Sequence, residues 1–132
     1  MGIWTSILTA SIFLSLIPLL PASADERVFP TNIRLTLGTE SNRSASVRIG
    51  DIDGDGDLDV VIANGRHWPQ QNFVFVNQGR ARVSVMRNLG NERTTTYATE
   101  LADLDGDGEL DIAVGNDQAP CRVFLNDGSG RF

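Results

Sequence analysis

The 132-residue chain has no lysine, a single histidine (His67) and a single cysteine (Cys121). Its eleven basic residues are all arginines, scattered along the sequence, so the basic stripe that nucleic-acid binding requires is missing. One cysteine excludes an intramolecular disulfide. Cys121 precedes the strand-like RVFLN and reads as a small buried residue. One histidine, with no Ser/His/Asp arrangement, no Cys/His pair and no P-loop, leaves nucleophilic catalysis and phosphate chemistry without their parts. It also leaves zinc and copper without their preferred ligands. His67 therefore reads as a surface or packing residue, and the chain as a non-enzyme. In Gly65-Arg66-His67-Trp68-Pro69, Trp68 reads as loop packing rather than as a ligand contact.

The first 24 residues carry no charged side chain. An apolar stretch from Ile3 to Leu20 is followed by Pro21 and then Ala22-Ser23-Ala24, which puts small residues at −3 and −1 before Asp25. This is the pattern of a secretory signal helix with its cleavage site. The reading is a signal peptide over 1–24 and an exported product over 25–132, secreted, periplasmic or cell-surface, with no membrane span after cleavage. No cysteine follows the apolar stretch, so a lipid anchor there has no support.

What the chain does have is localised acidity. Net charge is −6, yet two nine-residue segments, DIDGDGDLD and DLDGDGELD, hold ten of the seventeen carboxylates. The rest of the chain is net basic. The segments belong to an internal repeat. A shift of 52 positions aligns residues 37–64 with 89–116 and leaves eleven identities, among them Leu37-Gly38 with Leu89-Gly90, Asp51 with Asp103 and Asn64 with Asn116. After a three-residue insertion the register resumes, with Val74 to Asn77 (VFVN) against Val123 to Asn126 (VFLN).

Each unit reads as short strands between turns. Strands are predicted over Ser46–Gly50, Leu58–Ala63, Phe73–Val76 and Arg82–Met86, then over Tyr97–Ala102, Leu110–Val114 and Arg122–Leu125. Four short strands per unit of about 50 residues is the signature of a propeller blade. The fold expected is all-β, about two blades of an incomplete β-propeller, with repeat 1 over about 33–86 and a truncated repeat 2 over about 87–132. Propellers close with about four to eight blades. Further blades, from a longer chain or an oligomer, are therefore expected as partners.

In the first loop Asp51, Asp53, Asp55, Asp57 and Asp59 alternate with small or apolar residues. The second presents Asp103, Asp105, Asp107, Glu109 and Asp111. Five carboxylates so close repel unless something neutralises them. Glycines at positions 4 and 6 of each loop allow tight backbone turns that converge oxygens on one point. A hard oxygen-only site of this kind suits calcium, which takes six to eight oxygens, and implies two Ca2+ sites. Side-chain ligands are expected at positions 1, 3, 5 and 9, with Asp57 or Glu109 at position 7 giving its backbone carbonyl. Leu58 and Leu110, at position 8, are expected to point into the core. An EF-hand is excluded, because position 12 holds Ile62 or Val114 where that motif needs a bidentate glutamate.

The D-x-D-G-D-G-D-L-D loop entering a strand, followed by V-F-x-N and NDGSGRF, resembles the FG-GAP/VCBS repeat family, which includes the calcium-binding blades of integrin α-subunit propellers. The resemblance covers roughly residues 45–132. It implies a propeller with calcium in inter-strand hairpins, usually exported and often used in recognition or adhesion of protein or carbohydrate ligands. The function expected is a calcium-stabilised recognition module. The alternative is a non-catalytic part of a secreted carbohydrate-active hydrolase or lyase.

Overall fold

The computed structural model describes residues 36–80 and 82–132. The predicted signal peptide, 1–24, and the start of repeat 1 lie outside the described residues. Among the described residues there is no helix, and so none long and apolar enough to cross a membrane.

Six strands follow one another in an antiparallel meander: β1 Ser44–Gly50, β2 Asp59–Asn64, β3 Gln70–Asn77, β4 Val83–Ala102, β5 Asp111–Asp117 and β6 Arg122–Phe124. Each predicted strand is present. The difference is that the fourth strand of repeat 1 and the first of repeat 2 form one continuous element, the 20-residue β4. Its first part pairs with β3, through Phe75↔Met86 and neighbours. Its second part pairs with β5, through Thr99↔Val114 and neighbours. One strand thus serves as the outer edge of one blade and the inner edge of the next.

The sheet then curls so that β1 lies beside the second half of β4. Ser46 Oγ and Thr99 Oγ1 are 3.1 Å apart, and the Arg48 guanidinium forms an ion pair with Glu100. The first strands of the two repeats are therefore neighbours, as in two adjacent blades of an incomplete propeller.

The core lies between the repeats. Strand alternation puts Val61, Val74 and Val76 of repeat 1 on one face. With Ile52 and Leu89 they close against Ile112 and Val114 of repeat 2, with Leu101 and Phe124 packed at the margin. The end of the strands opposite the Asp-rich loops is held by a polar chain. Asn72 donates to Thr96 Oγ1 at 2.8 Å, and Thr96 donates to Asn116 Oδ1 at 2.7 Å. The repeated asparagines close their own connections: Asn64 Nδ2 donates to the Gln71 carbonyl and Asn116 Nδ2 to that of Pro120.

The repeated Leu-Gly pair has a packing reason. Leu89 is buried in the core. Gly90, at φ +68°, turns the backbone beneath the Phe124 ring, and a Cβ there would sit 2.9 Å from a ring carbon. Gly38 repeats the conformation at φ +75° beneath Phe75, with the ring 3.5 Å away. Gly90→Ala is expected to cost about 1–2 kcal/mol from the left-handed backbone alone, and ring displacement adds to that. Gly38→Ala should cost less, because its ring stands farther off. Urea unfolding of the two variants checks this, and equal losses would remove the role given to the Phe124 contact.

Candidate metal centre

Each Asp-rich segment is the hairpin loop between the first and second strands of its repeat. Gly54 and Gly56 adopt φ +72° and +90°, and Gly106 and Gly108 adopt +86° and +94°. These are left-handed conformations that glycine enters without strain. They wrap the loop around the first carboxylate. Asp51 accepts from the Asp55 and Gly56 amides at 3.2 and 2.9 Å. Asp103 accepts from Gly106 and Gly108 at 2.7 and 3.0 Å.

Three of the four predicted side-chain ligands in each loop converge. One carboxylate oxygen from each of Asp51, Asp53 and Asp59 lies within 4.8 Å of the other two, and Asp103, Asp105 and Asp111 repeat the arrangement. Asp55 and Asp57 lie outside the first triad, and Asp107 and Glu109 outside the second. Asp55 and Asp107 each turn an oxygen back to the amide two residues on.

The ninth residue has a second task that sequence reasoning missed. Asp59, fully buried, accepts from the Ile52 amide at 2.9 Å through one oxygen and from the Asn77 amide at 2.7 Å through the other. Asp111 does the same for Leu104 and Asn126, both at 2.8 Å. These bonds hold the Asp111 carboxyl below its ordinary range, the Asn126 amide foremost, then Leu104. Each staples its Asp-rich loop to the strand end that carries the repeated asparagine. Those asparagines are the last residues of VFVN and VFLN, and their repetition is the signal for this role in the sequence. Asn77 Nδ2 donates to the Leu58 carbonyl, and Asn126 Nδ2 to those of Leu110 and Ile52.

A family model for the FG-GAP repeat matches residues 45–85 and 95–131. The chain belongs to the FG-GAP repeat family. No curated protein and no solved structure matches it. Each matched FG-GAP segment contains one complete Asp-rich loop and the strands on either side.

The two FG-GAP loops match in sequence but not in surroundings. Residues 126–130 of repeat 2 lie over the first loop. Gly130 stands so close that a Cβ there would be 3.4 Å from Asp53 and 3.5 Å from Ile52, and Arg87 Nη1 holds the segment by its Ser129 and Gly130 carbonyls. Under this cover Asp53 Oδ1 is buried with no hydrogen-bond partner. Burial, then the charges of Asp59 and Asp55, raise the Asp53 pKa, against a smaller opposing effect of the Asp55 amide. Nothing among the described residues covers the second loop, and Asp103 and Asp105 are exposed.

Three expectations are corrected. Leu58 is 60% exposed instead of pointing into the core. Position 8 faces the preceding blade, so Leu110 meets Gly50 of repeat 1 while Leu58 has no such neighbour among the described residues. Cys121 is exposed. Its counterpart Asn72 is buried because β4 and repeat 2 cover it, and no described strand covers repeat 2 in the same way. Trp68 is exposed rather than packed in its loop, while His67 beside it sits edge-on to Tyr97.

Proposed function

We propose that the chain is an exported calcium-binding module for recognition or adhesion, and that the calcium is structural. The observation that carries this reading is the convergence of three carboxylates in each loop, with one Asp53 oxygen buried and unpaired at the first. A buried polar atom without a partner is costly, and the neighbouring like charges of Asp59 and Asp55 add to that cost. A hard divalent cation answers both conditions, and the oxygen-only donor set favours calcium over zinc or copper. Asp51, Asp53 and Asp59 would hold one ion, and Asp103, Asp105 and Asp111 the other. Asp55 and Asp107 complete the side-chain set, with backbone carbonyls of Asp57 and Glu109.

The ion supplies charge neutralisation that fixes the hairpin loops. The chain's own contribution is the backbone wrap on Asp51 and Asp103 and the staples at Asp59 and Asp111. Export fits this role, because extracellular modules bind calcium at about 0.1–1 mM, near its steady level outside cells. The apolar N-terminal segment ending in Ala22-Ser23-Ala24 supports export. The absence from the sequence of a nucleophile–base pair supports a binding role for a protein or carbohydrate ligand over catalysis.

Calorimetric titration with calcium should show two equivalents bound. Asp51→Asn should remove one and Asp103→Asn the other. Absence of heat and of calcium uptake in the unsubstituted chain would overturn the proposal.

A further inference from the structure

Two faces of the molecule are halves of a joint that it already makes internally. Among the described residues, Phe73, Phe75, Ile62 and Met86 of repeat 1, together with the Leu37–Asn42 segment, line a groove of about 570 Å3. The repeat counterparts of most of these residues, Leu89, Gly90, Val114, Asn116 and Phe124 among them, line a space of only about 10 Å3 in repeat 2. That second space is closed because repeat 1 packs on it through Ile52, Val61, Val74 and Val76. The counterparts of those four residues on repeat 2 are Leu104, Ala113, Val123 and Leu125. Leu104, Val123 and Leu125 are 50%, 53% and 52% exposed, where Ile52, Val74 and Val76 are at most 3% exposed. The outer face of repeat 2, free among the described residues, thus carries apolar side chains at the positions that fill the groove at the internal joint.

We propose that the chain assembles head to tail with copies of itself, the free face of repeat 2 in one copy filling the groove on repeat 1 of the next. The new joint continues the internal one and uses the same contacts. At the internal joint Asn126 Nδ2 donates to the Ile52 carbonyl at 2.7 Å. Across the new one, its counterpart Asn77 meets the counterpart carbonyl, that of Leu104. Because positions 48 and 100 are counterparts, each joint also brings Arg48 beside Glu100, a pair of opposite charge that already meets inside the chain. A heterologous interface of this kind forms a ring when its rotation closes. Propellers close with about four to eight blades, so copies that each supply the two matched repeats would close as a ring of two, three or four.

The test is sedimentation velocity of the chain as purified from the cell or its medium, at tens of micromolar in millimolar calcium. The expected result is a species of two, three or four times the chain mass. Met86→Glu alters the groove and Leu125→Glu alters the opposite face, both at exposed positions where a charge leaves the fold intact by circular dichroism. Each alone should be monomeric. An equimolar mixture should give heterodimers, because each variant keeps the half-joint that the other lacks. A monomeric unsubstituted chain overturns the proposal, whether its groove stays open or is filled by its own residues. So does an assembly that either variant leaves intact, or a mixture that stays monomeric.

Discussion

Asp53→Asn should raise the thermal unfolding midpoint in chelator and lower it in millimolar calcium. Without an ion, the Asp53 carboxylate is an anion beneath the 126–130 segment, with one oxygen unpaired and Asp59, Asp55 and Asp51 around it. Its pKa lies above the ordinary carboxylate value of 3.8 in the folded protein. The ionised form is therefore better tolerated unfolded than folded. The resulting penalty is present above the folded pKa and is relieved as pH falls through it. Asparagine keeps the shape and removes the charge, so the chelated protein gains stability, and acidification gains less for the variant than for the parent. With calcium the sign reverses. At about ten times its dissociation constant a site stabilises by about 1.4 kcal/mol, and losing most of that lowers the midpoint by roughly 5 °C in a domain of this size. Calorimetric scans of both proteins in both buffers decide the matter, and a lower midpoint for the variant in chelator as well would sink the argument. Asp105→Asn, made in the Leu125→Glu background that leaves the second loop uncovered, is the internal control. Its loop is exposed and water already solvates the carboxylate, so the gain in chelator should be small while the loss in calcium remains.

That contrast also shows where the sequence stops being informative. The loops, their glycines and the strands around them are legible because they are local: alternation gives the strands and Asp-Gly spacing gives the turns. The two loops read as equivalents, and as isolated loops they are. What separates them is a neighbour, the segment after Asn126 lying over Ile52 and Asp53 but not over Leu104 and Asp105. The same limit explains Leu58, Leu110 and Cys121, whose burial depends on whether another blade stands alongside. The continuity of β4 was hidden for a different reason. The sequence pattern ends one strand at Met86 and begins the next at Tyr97, yet Gly90, at positive φ, passes the chain beneath Phe124 without ending the strand. The paired role of Asn77 and Asn126 had a signal, an asparagine repeated at the end of both VFxN strands. Repetition alone did not say that its backbone amide serves a carboxylate 18 or 15 residues earlier.

Asp59→Ala should be among the most damaging single changes, with a large cost already present in chelator and a further loss in calcium, where the change also removes a ligand. The side chain is fully buried, and its two oxygens accept from the amides of Ile52 and Asn77. Alanine leaves both donors buried and unpaired, at about 1–3 kcal/mol each. Against a total stability of about 5–15 kcal/mol for an ordinary domain, that brings a two-repeat unit close to unfolding. Ile52 is fully buried in the inter-repeat core, and its backbone is held by this bond and by the Asn126 contact to its carbonyl. Loss of the staple should therefore loosen the joint between the repeats as well as the loop. Asp59→Asn should fall between the two, since its one oxygen replaces one acceptor while its amide faces the other donor. Urea unfolding in chelator measures the cost, and hydrogen exchange at the Ile52 and Asn77 amides locates it. Asp51→Asn separates this role from ion binding. It should abolish the response to calcium at the first loop, yet leave those two amides protected in chelator, because Asp51 contacts only the amides of its own loop. If Asp59→Ala costs under about 1 kcal/mol in chelator, less than one unmet buried hydrogen bond, the carboxylate does not staple the fold. Its burial would then have to be explained by the ion alone.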